Sequence, residues 1–225
     1  MTTRQAAVFD LDGTLVDNMR FHASAWVQVS KGWGLEIPLE FFERETAGKK
    51  NAEILALLLK RDLDAEELAR LSERKESLYR ELYRPHLAPV AGLRAFLNRL
   101  DAAGIALAIA TLAPAANRSM VLQGLGLQST FSLIIGAEQT RRGKPAPDIY
   151  LAAAAALGLE PSACVAFEDA VNGVVSARDA GMGVVGLTTS TSAEALRAAG
   201  AGWTAPDFTS LPAEVEEMFG TVAAA

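Results

Sequence analysis

Two aspartates, Asp10 and Asp12, end the apolar run Ala6 to Phe9 near the start of the chain. In an extended segment, side chains two apart project to the same side, so these carboxylates are expected to converge. A turn-starting Asp12 beside a capping Asp10 is the structural alternative, but an apolar strand rarely ends in two same-side acids without a counter-charge. A second acidic pair, Glu168 and Asp169, follows the run Cys164 to Phe167 and precedes a helical stretch from Ala170 to Ala180, which Gly181 stops. Asp169 taken alone reads as a helix N-cap. In open parallel sheets, however, sites form at the carboxyl ends of strands, and acids gathered there suit a hard cation such as Mg²⁺. Thr111 closes the run Ile105 to Ala110, and Lys144 lies in Gly143-Lys144-Pro145. They supply a hydroxyl and an ammonium of the kind that holds phosphoryl oxygens, although each in isolation reads as an ordinary strand-end or loop residue.

The elements that must position these groups alternate between strand and helix. Strand-like runs at Ala6–Phe9, Ile105–Ala110, Leu133–Ile135, Cys164–Phe167 and Val184–Leu187 are separated by helical stretches, the pattern of an α/β fold with a Rossmann-like parallel sheet. After the first strand come about 75 residues with no strand pattern, read as an insertion. Helices are expected within it at Phe21–Val29, Leu39–Glu45, Asn51–Lys60 and Ala65–Tyr83, with breaks at Gly32 to Gly34, Gly48 and Asp62 to Asp64. The organisation is therefore a core of residues 1–17 and 88–225 carrying a helical cap of residues 18–87. The cap holds 12 basic and 12 acidic residues of the chain's 21 and 27, so the net negative charge belongs to the core.

A chain of 225 residues buries roughly 70 to 75% of its unfolded surface and needs no staples. A net charge of −6 disfavours nucleic acid as a partner. No run approaches the roughly 18 apolar residues of a membrane span, and a secretory signal is not expected ahead of Asp10. The single cysteine, Cys164, sits in an apolar run and reads as a structural thiol, so a reducing cytoplasm is expected. Gly136 to Lys144 is not a P-loop: its glycines are too far apart and Pro145 stands where Ser or Thr is required. Residues Thr221 to Ala225 read as a frayed end.

The order of these acids, Thr111 and Lys144 along the chain, with FDLDGTLVD, GKPAPDIY and FEDAVNGVVSARDAGM, resembles the haloacid dehalogenase-like hydrolase superfamily over essentially its whole length. The likeness is to the branch of β-phosphoglucomutases and small-molecule phosphatases. It implies that Asp10 is the nucleophile, Asp12 the acid/base, and Thr111 and Lys144 the phosphoryl-binding pair. Mg²⁺ would be held by Asp10, the main-chain carbonyl of Asp12 and Asp169, with Glu168 acting through water or orienting the others. Crowding among acids is expected to raise the pKa of Asp12 and keep it protonated.

The substrate would be a small phosphorylated metabolite such as a sugar phosphate, met by His22 and by the cap lysines Lys49, Lys50 and Lys75, which otherwise read as hinge packing and solvated surface. Loop Leu112 to Ala115 lacks the hydroxyl and amide donors common in the family. Thr111 is left as the side-chain donor there, unless Asn117 or Arg118 compensates. Hydrolysis is the leading expectation. A phosphosugar mutase is the alternative, disfavoured because Gly48-Lys49-Lys50-Asn51 lacks an expected Arg, and a catalytically silent binding protein is a further one. Asp12 argues against dehalogenation and phosphonate cleavage. Oligomeric state is not readable from the sequence.

Overall fold

Six short runs rich in Ala, Val, Ile and Phe pair as one parallel sheet in the order β3-β2-β1-β4-β5-β6. The structure, a computed structural model, describes residues 4–46, 49–131 and 133–220, without the side chains of 43–45. The strands are β1 (Ala6–Phe9), β2 (Ala106–Ala110), β3 (Leu133–Ile135), β4 (Cys164–Glu168), β5 (Gly183–Leu187) and β6 (Trp203–Ala205). This is the doubly wound, Rossmann-like order, with the connections reversing direction beside β1. The sixth strand goes beyond the five that the sequence pattern marks: Trp203–Ala205 is too short to show alternation, and its pairing with β5 comes from the tertiary fold.

The helices are α1 (Met19–Lys31), α2 (Leu39–Glu45), α3 (Asn51–Leu59), α4 (Ala65–Tyr83), α5 (Leu93–Ala102), α6 (Ala115–Leu125), α7 (Asp148–Leu157), α8 (Val171–Asp179), α9 (Ala193–Ala199) and α10 (Ala213–Met218). The α2 and α4 spans are those read from the sequence, and Asp64 caps α4 by accepting from the Glu67 amide at 2.8 Å. Helix α3 stops one residue early because Lys60 turns left-handed, at φ 51°. Helix α8 starts at Val171 rather than Ala170, since Ala170 is still extended. Gly48 and Thr221 to Ala225 lie outside the described residues.

The two faces of the sheet are packed differently. Under one face, Phe9 stacks on Phe167 with ring centroids 4.7 Å apart, and Phe96 and Phe208 complete the aromatic layer. On the other, Ala6, Ala108, Ala110 and Ala166 let the alanines of α7 and α8 approach closely. Helices α1 to α4 build their own apolar cluster around Trp26, Phe42, Ile54, Leu55 and Leu71. The chain leaves and re-enters the sheet side by side: Val16 bridges Pro89, and the Val90 amide donates to the Leu15 carbonyl at 2.9 Å. Cys164 is buried in β4, and burial pushes its thiol pKa up, as an inert thiol requires. No described helix is long and apolar enough to cross a membrane.

Candidate active site

The carboxyl ends of β1, β2 and β4 meet beneath α1, α3 and α4, around a cavity of about 380 Å³. Asp10, Asp12, Thr111, Lys144 and Asp169 line its floor, while His22, Trp26, Lys49, Lys50, Asn51 and Lys75 line the side formed by the inserted helices.

Lys144 is the electrostatic centre of the floor. Its Nζ lies 3.0 Å from Asp10 Oδ1 and 2.6 Å from Glu168 Oε1, with only 3% of the residue exposed. Burial would lower its pKa, but the charges of Asp10 and Glu168 outweigh that and hold it above the usual lysine range. Glu168 has no exposure. Its Oε1 also accepts from the Tyr150 hydroxyl at 2.6 Å and its Oε2 from the Asp169 amide at 3.2 Å. Gly173 makes room for it, since a Cβ there would overlap the carboxyl carbon and both oxygens of Glu168. Asp169 is oriented from outside the motif, by the Ser190 hydroxyl donating to its Oδ2.

Ligand oxygens of Asp10, Glu168 and Asp169 lie within 4.8 Å of one another. Burial pushes the Asp10 pKa up to about 7, with Lys144 opposing and Glu168 and Asp12 adding to the rise. Burial and the charges of Glu168 and Asp10 likewise push Asp169 up. Three hard carboxylates gathered about one ammonium, which pairs with Asp10 and Glu168, suit a divalent cation bound by oxygen. The cluster can thus hold a metal ion.

The Asp12 carboxylate is not in that cluster. Extended geometry ends at Phe9, and Gly13, at φ 74°, turns the chain where a Cβ would strike the Asp169 carboxylate. The Asp12 carboxylate instead accepts from Asn18 Nδ2 at 2.6 Å and faces His22 Nε2 at 3.4 Å. This overturns the expected protonation: burial would raise its pKa, but His22 and the Asn18 amide outweigh it, and Asp12 rests below the usual carboxylate range. Lys75 Nζ stands 2.7 Å from His22 Nδ1. An ammonium has only donors, so Nδ1 accepts and the ring proton sits on Nε2, towards Asp12.

Lys75 is buried, bonded to His22 and, at 2.9 Å, to Glu76 Oε1, so it is no solvated surface lysine. Lys49 and Lys50 line the cavity, and the Lys50 stem passes over Gly143, where a Cβ would come within 2.9 Å of Lys50 Cε. Thr111 is 1% exposed, and its Oγ1 accepts from the Ala113 amide at 3.1 Å, leaving its own proton to donate. Neither candidate replacement donor faces the floor. Asn117 bonds Glu76 and Arg80, while Arg118 bonds the Ala113 carbonyl at 2.9 Å and pairs with Glu138.

Tyr150, Ser190, Asn18, Tyr79 and Glu76 complete the surroundings, and sequence reasoning does not single them out as site residues. Asn18 Nδ2 lies 2.5 Å from the Tyr79 hydroxyl, a contact made across 61 residues of sequence. Ser190 has a legible signal, the hydroxyl run Thr188-Thr189-Ser190-Thr191-Ser192 after β5. Tyr150 stands inside GKPAPDIY, but nothing in its spacing announces a partner on β4.

The family model for haloacid dehalogenase-like hydrolases matches residues 5–181. The chain is 36% identical to hexitol phosphatase A of Escherichia coli over 80% of this chain and 81% of that one. It is 32% identical to the fructose-1-phosphate phosphatase YqaB of the same species, over 79% and 93%. Among solved structures, β-phosphoglucomutase from Clostridium difficile superposes with a TM-score of 0.84 at 26% identity, covering 98% of each chain. The chain therefore belongs to the haloacid dehalogenase-like hydrolases and is an enzyme of that family.

Proposed function

We propose that this enzyme is a Mg²⁺-dependent phosphatase that hydrolyses a small phosphorylated metabolite, a sugar phosphate, through an aspartyl-phosphate intermediate. The observation that carries this reading is the meeting of Asp10, Thr111, Lys144 and Asp169 on the floor of one cavity roofed by the inserted helices, with Glu168 buried behind Lys144. The relatives named as phosphatases of hexitols and of fructose 1-phosphate support the substrate class.

In this reading an Asp10 oxygen attacks phosphorus, the bond from phosphorus to the sugar oxygen breaks, and that oxygen takes a proton from Asp12. Asp12 rests ionised, and the arrival of a dianionic phosphoryl group beside it favours its protonated form. Water then attacks the phosphoryl-aspartate, gives its proton to Asp12 and releases phosphate. Lys144 and Thr111 hold phosphoryl oxygens as charge redistributes. Asp10, Asp169 and the Asp12 carbonyl would hold Mg²⁺, with Glu168 behind them fixing Lys144. When bound, the cation supplies positive charge that lets an anionic nucleophile meet an anionic substrate.

Residues 18–87 act as the cap, which excludes water and selects the substrate, on a core of residues 1–17 and 88–225. His22, Lys49, Lys50 and Lys75 are its substrate-side polar groups. We take the compartment to be the cytoplasm, in keeping with the buried Cys164.

Phosphate release from a panel of hexose, hexitol and pentose phosphates tests the reading, with Asp10→Asn as the control that removes the nucleophile. Turnover of none of them, or turnover by Asp10→Asn above a few per cent, would refute it. The likeness to β-phosphoglucomutase favours measuring conversion of glucose 1-phosphate to glucose 6-phosphate alongside. Conversion without phosphate release would make the enzyme a mutase.

A further inference from the structure

We propose that Asn117 and Glu76 form a latch between the inserted helices and the sheet core, and that through Lys75 this latch positions His22 against Asp12. The latch itself is read from contacts; its effect on turnover rests on the phosphatase reading above.

Asn117 has no exposure. It stands on α6, three residues beyond the Leu112–Pro114 loop of the cavity floor, and faces α4. Its Nδ2 donates to Glu76 Oε2 at 2.7 Å, and its Oδ1 accepts from Arg80 Nη1 at 3.0 Å. A flipped amide would set donor against guanidinium and acceptor against carboxylate, so only one arrangement satisfies both partners. The other Glu76 oxygen accepts from Asn51 of α3 at 2.8 Å and from Lys75 at 2.9 Å. Lys75 reaches His22 Nδ1 of α1 at 2.7 Å, and His22 Nε2 faces Asp12 at 3.4 Å.

One buried carboxylate thus joins three of the inserted helices to the core helix that follows the Thr111 loop. Moving the insertion away from the core would strip Glu76 of Asn117, and a buried charge that loses a donor is strongly disfavoured. The closed arrangement is therefore the one in which Lys75, and with it His22, is held in line with Asp12.

The partners can be exchanged. In Asn117→Asp two carboxylates face each other; in Glu76→Gln the acid is gone but the shape is kept. In the double variant, Asn117→Asp with Glu76→Gln, amide and carboxylate trade sides: the amide now on α4 donates to the carboxylate now on α6, restoring one donor and one acceptor. Amide hydrogen exchange of the resting protein reads the latch without substrate, and kcat and KM on a hexose phosphate and on p-nitrophenyl phosphate read the positioning.

Asn117→Asp should raise exchange along the facing turns of α4 and α6 by about tenfold or more. It should lower kcat on the hexose phosphate by a similar factor while sparing p-nitrophenyl phosphate, and the double variant should recover most of both losses. Should Asn117→Asp not fold, Asn117→Ser, which cannot reach Glu76, takes its place in the exchange measurement. Unchanged exchange, or a double variant no better than the worse single, overturns the latch. Raised exchange with kcat unchanged on both substrates overturns the positioning of His22. A wild-type protein with no phosphatase activity refutes the functional reading and leaves the exchange test of the latch intact.

Discussion

Replacing Gly173 by alanine should harm this protein where the same change in most helices helps. Gly173 lies in α8, where trading Gly for Ala ordinarily gains up to about 1 kcal/mol. Here the new methyl would overlap the carboxyl carbon and both oxygens of Glu168, a group with no exposed surface into which to retreat. Displacing it breaks the bonds from Lys144 and Tyr150, each 2.6 Å long. Hydrogen bonds to charged groups contribute about 1.5–3 kcal/mol each. Partial loss of both, less the helical gain, leaves a destabilisation of about 2 kcal/mol or more. That corresponds to a Tm lower by roughly 4–8 °C for a chain of this size. Lys144 would also lose the partner that holds it beside Asp10, so turnover should fall at least about tenfold, a loss of about 1.4 kcal/mol in transition-state stabilisation. Thermal melts and steady-state turnover on one preparation suffice. A variant that melts higher than the parent with unchanged kcat would show that Glu168 relocates at no cost and that its lodging against α8 is incidental.

Asp12→Asn should cost more on a sugar phosphate than on p-nitrophenyl phosphate, whose leaving group needs little protonation; equal losses would argue against proton donation by Asp12. Chelation should abolish turnover and Mg²⁺ restore it, and Ser190→Ala, which frees Asp169 Oδ2, should weaken Mg²⁺ binding severalfold by calorimetry. Unaltered affinity would remove Ser190 from the support of that ligand. Burial would raise the Glu76 pKa, but the Lys75 charge and the amides of Asn51 and Asn117 hold it at about 2, below its ordinary 4.5. Its ionised form therefore stabilises the fold above about pH 4.5, and about 3 kcal/mol is lost as pH falls towards 2. Acid-unfolding curves of the parent should thus be steeper over that window than those of Glu76→Gln, and parallel curves would contradict the assignment.

Five of the six strands, the four helices of the insertion and α8 are legible in the sequence because their signals are local. Ala6–Phe9 and Cys164–Phe167 are continuous apolar runs of strand length, and α4 follows the break at Asp62 to Asp64. The floor of the site follows from strand ends, a topological rule that needs no side-chain geometry. What stays hidden depends on contacts between distant segments. Asp12 reads as protonated because the strand-end acids are expected to crowd it, whereas its carboxylate turns away from them to Asn18, the N-cap of α1, and to His22 on that helix. Lys75 reads as a substrate contact or a solvated surface lysine, and only the fold brings His22, 53 residues away, to it. Asn117 lies near enough to Thr111 in sequence to suggest a phosphate donor, but α6 turns it towards α4.

The adjacent crossings of the chain between sheet and insertion bear on how such an enzyme changes over evolutionary time. Because Val16 and Pro89 already pair, and the Val90 amide meets the Leu15 carbonyl, the stump left by removing everything between them is a ready-made hairpin neck. A short turn could close it, and a different set of helices could be spliced onto it, without moving a strand of the sheet. The residues that would break the phosphate bond and those that would choose its bearer thus lie on opposite sides of one two-stranded neck. Recombination at that neck can exchange the second set wholesale while the first is inherited unchanged.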